Sequence, residues 1–301
     1  MLEISVCILT YNPVIEKLYK TLSSIIMQEK IEYEIIVSDD GSKNNLFQYI
    51  KDFFEANNFF NYKLIASDSN EGTVKNCLKA VQNSSGRYIK CLSPGDAMYK
   101  NTSLYEWVDK LKNSNCQWSF SEVMCYKAGT DNDMEVLSLK AHPQVIKYYE
   151  KRYLNNDRCR WNYIILKDIA VGAATICEKD ILLHYLETIK GKVIYAEDNI
   201  FRLMMFDGIY PLYFSDVSIW YEYGEGVSTG TDRVWKERLD KDWETSTDIM
   251  LSRLNFADDL QLKMQKTMKS RWYKKKYMSL FTVKGKLLFA IKRKIFPRMT
   301  A

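Results

Sequence analysis

Short β-branched runs at residues 4–9, 34–38, 62–66 and 87–92 are separated by amphipathic stretches at 14–28, 44–58 and 71–83. In the first stretch Leu18, Leu22, Ile25 and Ile26 recur at helical spacing and give one apolar face. Strands alternating with helices predict a parallel sheet flanked by helices over about residues 1–115. Beyond that point the order is mixed. A strand is expected near 117–126, a polar loop near 128–135, helices near 144–154, 179–190 and 195–206, and strand-like segments at 210–214 and 216–223. From 232 to about 277 the pattern is helical, and a second basic amphipathic segment covers 283–296. No internal repeat or low-complexity linker divides the chain. The expected organisation is a domain over 1–230, with halves of about 1–115 and 116–230, followed by a helical region over 231–301.

With 301 residues, 47% of them hydrophobic and 27% charged, the chain can bury a substantial core, so disorder is not the default. Seven cysteines stand apart at 7, 77, 91, 116, 125, 159 and 177, mostly inside apolar runs and with no Cys-x-x-Cys pair. They read as small buried hydrophobes in a reducing compartment. The two histidines, His142 and His184, read as structural and leave little material for a His-based zinc site or a serine triad. The N-terminal Met-Leu-Glu-Ile-Ser-Val starts a strand without a basic region, and no run of about 18 apolar residues occurs. Neither a signal peptide nor a membrane-spanning helix is expected, and the chain reads as cytoplasmic.

In open sheets of this kind ligands collect at the carboxyl ends of the strands, where the loops here are polar. They are Thr10-Tyr11-Asn12-Pro13, Asp39-Asp40-Gly41-Ser42 and Ser93-Pro94-Gly95-Asp96. Asp40 can accept a hydrogen bond from a nucleotide base, with polar and stacking contacts from Thr10 and Tyr11; Asp39-Asp40-Gly41-Ser42 also suits a plain turn closing a strand. Asp96 is the acid available there to a hard cation bridging two phosphates, and a Pro-Gly turn followed by an aspartate is the competing account. Glu197-Asp198 opens a segment anchored by Phe201, Leu203, Met204 and Phe206. A carboxylate at a helix mouth can be held toward a cleft as a general base, which makes Asp198 the candidate, or can simply cap the helix.

In order along the chain stand Ile4-Ser5-Val6-Cys7-Ile8-Leu9-Thr10-Tyr11-Asn12, Ile35-Ile36-Val37-Ser38-Asp39-Asp40-Gly41-Ser42, Asn70-Glu71-Gly72, Gly86-Arg87-Tyr88-Ile89 and Glu197-Asp198. Together, over roughly residues 3–230, they resemble the family 2 glycosyltransferases. The resemblance implies an α/β GT-A (nucleotide-diphospho-sugar transferase) fold, with a mostly parallel central sheet flanked by helices, here followed by a helical basic extension. It also implies inverting transfer of a sugar from a nucleotide diphosphate, most naturally UDP, to a lipid-linked or glycan hydroxyl in surface polysaccharide synthesis. Asp198, beside Glu197, matches the family's base, while Thr10, Asn12 and Asp40 match its nucleotide contacts. Tyr11, Asn70, Lys75 and Ser93 complete the expected nucleotide set, with Lys75 standing where the family can carry an arginine. A divalent metal, Mn²⁺ or Mg²⁺, is implied at Asp96, yet Ser93-Pro94-Gly95 replaces the family's Asp-x-Asp. Gly172-Ala173-Ala174-Thr175 and the segment from Trp220 through Thr229 are candidates for the sugar and acceptor side, with core packing the alternative for Trp220.

Charge is distributed unevenly, since residues 260–301 hold 13 Lys or Arg and no acid, although the net charge of the whole chain is +5. In the tail, aromatic and basic residues alternate over 271–277, and Leu287, Leu288, Ile291 and Ile295 share a face opposite Lys286, Lys292 and Lys294. A solvated helix covering the body of the protein is one alternative, and a nucleic-acid-binding tail, the other, accounts for the cations but not for the apolar stripe. An anionic membrane surface accounts for both, so residues 271–296 read as a peripheral anchor at the inner face of the cell membrane, with no nucleic-acid partner. Self-association stays open. The rival from another class is a catalytically weakened activating subunit of another transferase, favoured by the eroded acidic motif and opposed by the intact Glu197-Asp198. A nucleotidyltransferase or a dehydrogenase would need a Gly-rich phosphate loop after the first strand, which Thr10-Tyr11-Asn12-Pro13 is not.

Overall fold

The computed structural model describes residues 2–128, 134–137, 143, 145–224, 230 and 232–270. The basic tail, His142 and the Gly226–Thr229 part of the candidate acceptor segment lie outside them.

The first half follows the hydrophobic pattern closely. Strands β1 (Ile4–Thr10), β2 (Tyr33–Asp39), β3 (Tyr62–Ala66) and β4 (Tyr88–Leu92) alternate with helices α1 (Ile15–Ile26), α2 (Phe47–Ala56) and α3 (Thr73–Gln82). The pairs β1–β2, β1–β4 and β2–β3 are all parallel. Because successive side chains point to opposite faces, Cys7, Leu9, Ile36 and Ile89 enter one core while Ile4, Val6, Ile8, Ile35, Val37, Tyr88 and Leu92 enter the other. The second core is closed by Leu18, Leu22 and Ile25 of α1, by Ile50, Phe53 and Phe54 of α2, and by Leu104, Trp107 and Leu111 of α4 (Ser103–Lys112), a helix absent from the sequence reading.

Beyond β4 the sheet becomes mixed, with the order β3-β2-β1-β4-β8-β6-β9-β5 and β7 paired to β6. The added strands are β5 (Ala97–Met98), β6 (Trp118–Ala128), β7 (Met134–Val136), β8 (Thr175–Glu178) and β9 (Leu212–Glu222). The segments expected at 210–214 and 216–223 form one strand, whose alternation slips where Phe214 pairs with Ser121 but Val217 with Glu122. Part of the expected polar loop pairs as β7 with Tyr126–Ala128. No continuous helix forms over 144–154; a 3-10 turn at Ile146–Tyr149 precedes α5 (Asn156–Ile165), whose start Asn155 caps by accepting the Arg158 N–H at 2.8 Å. Polar Arg160 and Asn162 are buried in α5 beside Tyr163 and Ile164, so its sequence lacks the apolar face that announces a helix.

Helix α6 (Lys179–Ile189) lies where expected, whereas α7 (Asn199–Phe206) begins four residues later than the reading of 195–206. The expected helix from 232 divides into α8 (Arg233–Ser252) and α9 (Asp259–Lys269), capped by the side chains of Asp232 and Asp258. Ile249, Met250, Met264 and Met268 from these helices are buried in the core shared with α3, α5, α6 and α7. At about 1.5–3 kcal/mol for each such side chain, α8 and α9 are integral to the fold. Among the described residues no helix is long and apolar enough to cross a membrane.

Candidate active site

The parallel register places Thr10 beside Asp39 at the carboxyl edge of the sheet. Thr10 Oγ1 donates to Asp39 Oδ2 at 2.9 Å, and Asp39 also accepts the Ser42 N–H at 2.8 Å and the Ser42 hydroxyl at 2.6 Å. The Asn12 N–H donates to Ser42 Oγ at 2.6 Å, which ties the first loop to the second. Next to it Asp40 accepts the N–H groups of Glu71 and Gly72, each at 2.9 Å, so the loop before α3 is held against the end of β2. Gly41 makes that approach feasible: its φ is +75°, and a Cβ there would lie 2.4 Å from the Ser69 carbonyl carbon.

The same loop touches the segment that leads into the acidic pair. Gly72 (φ +93°) packs so closely on Ile194 that a Cβ would lie 2.6 Å from the Ile194 oxygen, and Val74 N–H donates to that oxygen at 3.0 Å. Asp242 of α8 then accepts the N–H groups of Ile194 at 3.1 Å, Tyr195 at 2.6 Å and Ala196 at 3.0 Å. The Ile194 oxygen, which would accept the first bond of a helix begun at 195, is taken by Val74, and the helix begins at Asn199. Glu197 and Asp198 follow at once, both partly buried, with Gly172 against them: a Cβ on Gly172 would be 3.5 Å from Asp198 Cβ and 3.8 Å from Glu197 Oε1.

Burial pushes the Asp198 carboxyl up to about 6, with Asp242 raising it and Arg202 opposing. Burial, and then the adjacent Asp198, hold Glu197 well above the usual carboxylate range. Arg202 is itself fixed from α8: its guanidinium carbon lies 3.2 Å from the centre of the Trp243 ring, and it donates to Ser246 Oγ at 2.5 Å and to Thr247 Oγ1 at 2.9 Å. Two adjacent acids with raised pKa, one near neutrality, form the kind of pair that exchanges protons with a substrate.

A third corner forms where β4 ends. Gly95 N–H donates to Thr21 Oγ1 at 3.0 Å, and that hydroxyl contacts the Asp96 oxygen at 2.7 Å, clamping Ser93–Asp96 to α1. Asp96 is buried, and its Oδ1 accepts the Glu222 N–H at 3.2 Å. The Glu222 side chain pairs with Lys17 at 2.9 Å. Fully buried Lys90, on the face of β4 shared with Tyr88 and Leu92, donates to the carbonyls of Ala173 and Thr175. Burial pushes Asp96 up to about 7 and Lys90 down to about 7.

The profile of Glycosyl transferase family 2 matches residues 5–171, more than half of the chain. The chain belongs to glycosyl transferase family 2. It is a glycosyltransferase, and its chemistry is glycosyl transfer from a nucleotide sugar. Among solved structures it is similar to S. aureus TarS 1–349 in complex with UDP, with TM-score 0.61, 15% identity, and 92% of this chain and 78% of that one covered. TarS 1–349 in complex with UDP-GlcNAc aligns with TM-score 0.57 at 15% identity, over 91% and 78% of the two chains. At that identity the likeness is one of fold, and it agrees with the GT-A architecture expected for a family 2 transferase. No curated protein sequence matches.

In this family 2 chain the expected site residues fall into three groups. Thr10, Asn12, Asp40 and the backbone after Asn70 meet at one edge, and Glu197 and Asp198 join them through Ile194. Tyr11 is 52% exposed beside them, and Lys75 is paired with Glu71 at 2.8 Å. Ser93 and Asp96 belong to the third corner, where a divalent cation does not fit. Ser93, Pro94 and Gly95 bring no carboxylate and Glu222 is paired with Lys17, which leaves the single buried Asp96, whose carboxyl burial pushes up to about 7. Among the described residues no group of three or more His, Cys, Asp or Glu is placed to hold a metal. Trp220 is half-buried, with its ring 5.0 Å from Tyr99 and 6.5 Å from Tyr126. Sequence reasoning missed Asp242, Arg202, Lys17 and Lys90. Asp242 is one acid among many on a polar helix, but Lys90 had a signal: a lysine inside an otherwise apolar strand.

Proposed function

We propose that this chain is an inverting transferase that moves a sugar from a UDP-linked donor to a hydroxyl of a lipid-linked or glycan acceptor, with Asp198 as the general base. The acceptor oxygen attacks the anomeric carbon from the side opposite the diphosphate and its proton passes to the Asp198 carboxylate. The bond from carbon to the departing diphosphate oxygen breaks, and the electron pair leaves on UDP. One observation carries the reading: the Gly72 whose N–H holds Asp40 packs on Ile194, on the segment that leads through Tyr195 and Ala196 into the partly buried acidic pair. A base at about 6 is ionised at neutral pH yet still basic enough to take a proton as the acceptor oxygen becomes bonded. TarS in complex with UDP and with UDP-GlcNAc supports a uridine nucleotide as the donor's carrier.

Thr10, Tyr11, Asn12, Asp40, Asn70, Lys75 and Ser93 are proposed to surround the nucleotide, and Gly172 with Trp220 the sugar and acceptor. The divalent cation expected at Asp96 has no part in this reading, because among the described residues Asp96 has no second carboxylate free to share an ion. The basic stripe over 271–296 is proposed to hold the enzyme on an anionic bilayer, beside a lipid-linked acceptor. The test is transfer by the purified protein from a panel of UDP-sugars, with the anomeric configuration of the product read by NMR. Product of inverted configuration, lost in Asp198→Asn, is expected; retained configuration or undiminished turnover of the variant refutes the assignment. Sedimentation with phosphatidylserine vesicles, lost on removing residues 271–301, tests the anchor.

A further inference from the structure

Breaking the bond to a nucleoside diphosphate leaves negative charge on its phosphate oxygens, and a cationic partner must meet it. At the β4 edge the groups that would hold a divalent ion are replaced by ammonium groups and by contacts that shut an ion out. The Glu222 carboxylate, which could otherwise have joined Asp96 as a ligand pair, is paired with the Lys17 ammonium at 2.9 Å. Lys20, one turn further along α1, sets its ammonium 3.5 Å from the centre of the Tyr126 ring, whose hydroxyl donates to the Gly95 oxygen. Gly95 itself cannot regain a carboxylate while this pair stands. Its φ is +108°, and a Cβ would lie 2.3 Å from Glu222 Oε2.

Both lysines sit on the first turns of the helix that follows the Thr10–Pro13 loop, and the Gly95 N–H donates to the Lys17 carbonyl at 3.2 Å. They are therefore held at the sheet edge to which the nucleotide is assigned. Each is a compact point charge with rotatable donors on a flexible stem, so they can balance phosphate without coordination geometry. We infer that this transferase binds and releases its nucleoside diphosphate without a divalent cation, the ammonium groups of Lys17 and Lys20 taking the charge at the corner where the acidic motif is absent. The inference rests on the proposed donor chemistry.

The experiment is calorimetric titration of the full chain, dialysed against EDTA, with UDP, GDP, CDP and dTDP, repeated with Mn²⁺ and with Mg²⁺. One nucleoside diphosphate is expected to bind with the same affinity, within about twofold, in all three conditions. Lys17→Gln and Lys20→Gln are each expected to weaken it at least about fivefold while leaving the affinity for the free nucleoside unchanged. Where Lys17→Gln fails to fold, the pair Lys17→Gln with Glu222→Gln removes both charges together and keeps the test available. Binding that vanishes in EDTA and returns with Mn²⁺ overturns the inference and leaves the proposed function standing, as do lysine variants that weaken nucleoside and diphosphate equally. Absence of binding by all four diphosphates, with and without metal, overturns both.

Discussion

The Oδ2 atom of Asp242 accepts the backbone N–H of Ala196 at 3.0 Å, so a helix beyond residue 230 fixes the chain immediately before Glu197 and Asp198. Asp242 also adds negative charge that raises the Asp198 carboxyl. Asp242→Asn is therefore expected to act in two ways. An amide has one acceptor oxygen, leaving backbone donors unmatched at a cost of about 1–3 kcal/mol, read as a lower Tm. Loss of the charge lets the Asp198 pKa fall, so the acid limb of the kcat/KM profile moves to lower pH. A lower Tm with an unmoved acid limb would make Asp242 a structural clamp without electrostatic influence on the base.

Asp198 links activity and stability with opposite sign. In the folded chain its pKa is about 6, above the ordinary 3.8, so folding favours the protonated form. That contribution is fully present below 3.8 and is lost as the pH rises through about 6. Asp198→Asn removes the titration: its Tm is expected to exceed that of the wild type at pH 8 and to match it at pH 4. Transfer, which needs the ionised base, is expected to fall at least about 100-fold in the variant, and in the wild type to decline below a pH of about 6. Equal melting at both pH values would show that the carboxylate is not strained by its surroundings.

Gly172 borders the acidic pair and Gly72 the segment leading to it, and the two should respond differently to alanine. At Gly72 the φ of +93° and the 2.6 Å approach to the Ile194 oxygen leave no room, so Gly72→Ala is expected to cost roughly 1–3 kcal/mol and to displace the segment leading to Glu197. At Gly172 the added carbon meets Asp198 Cβ at 3.5 Å, an ordinary contact. Gly172→Ala is expected to change stability by less than about 0.5 kcal/mol while reducing transfer severalfold by filling space beside the base. Chemical denaturation and initial rates on the same preparations check this. Comparable destabilisation by the two variants would contradict the packing described.

What the sequence made legible were the parts built from local pattern. Strands β1 to β4 each carry alternating apolar faces and end in a polar loop, so both their existence and their common edge could be read. What stayed hidden depends on distant pairing. Nothing near Glu222 announces that it meets Lys17, 205 residues away, and nothing near Asp242 marks it as the acceptor for Ile194 to Ala196. The late start of α7 has the same origin, since the Ile194 oxygen, which would accept the first bond of a helix begun at 195, is taken by the distant Val74 N–H. Likewise β8 has four residues, too short for a periodic signal, and is recruited because β4 and β6 flank it.

Asp40 illustrates how a loop clamp and a ligand contact can be separated by measurement. Its two oxygens each accept a backbone N–H, from Glu71 and Gly72, and a carboxylate retains further lone pairs for a nucleotide base. Asp40→Asn keeps the size but offers one N–H a donor in place of an acceptor, at an expected cost of about 1–3 kcal/mol. If Asp40 also meets the base, the affinity for UDP falls at least about fivefold even at temperatures where the variant is fully folded, and kcat at saturating donor changes much less. A variant with reduced Tm and unaltered UDP affinity would assign Asp40 to the loop alone. Circular dichroism melting and calorimetric titration with UDP at 10 °C below the variant's transition, a temperature chosen to be about one transition width away from unfolding, decide between the two.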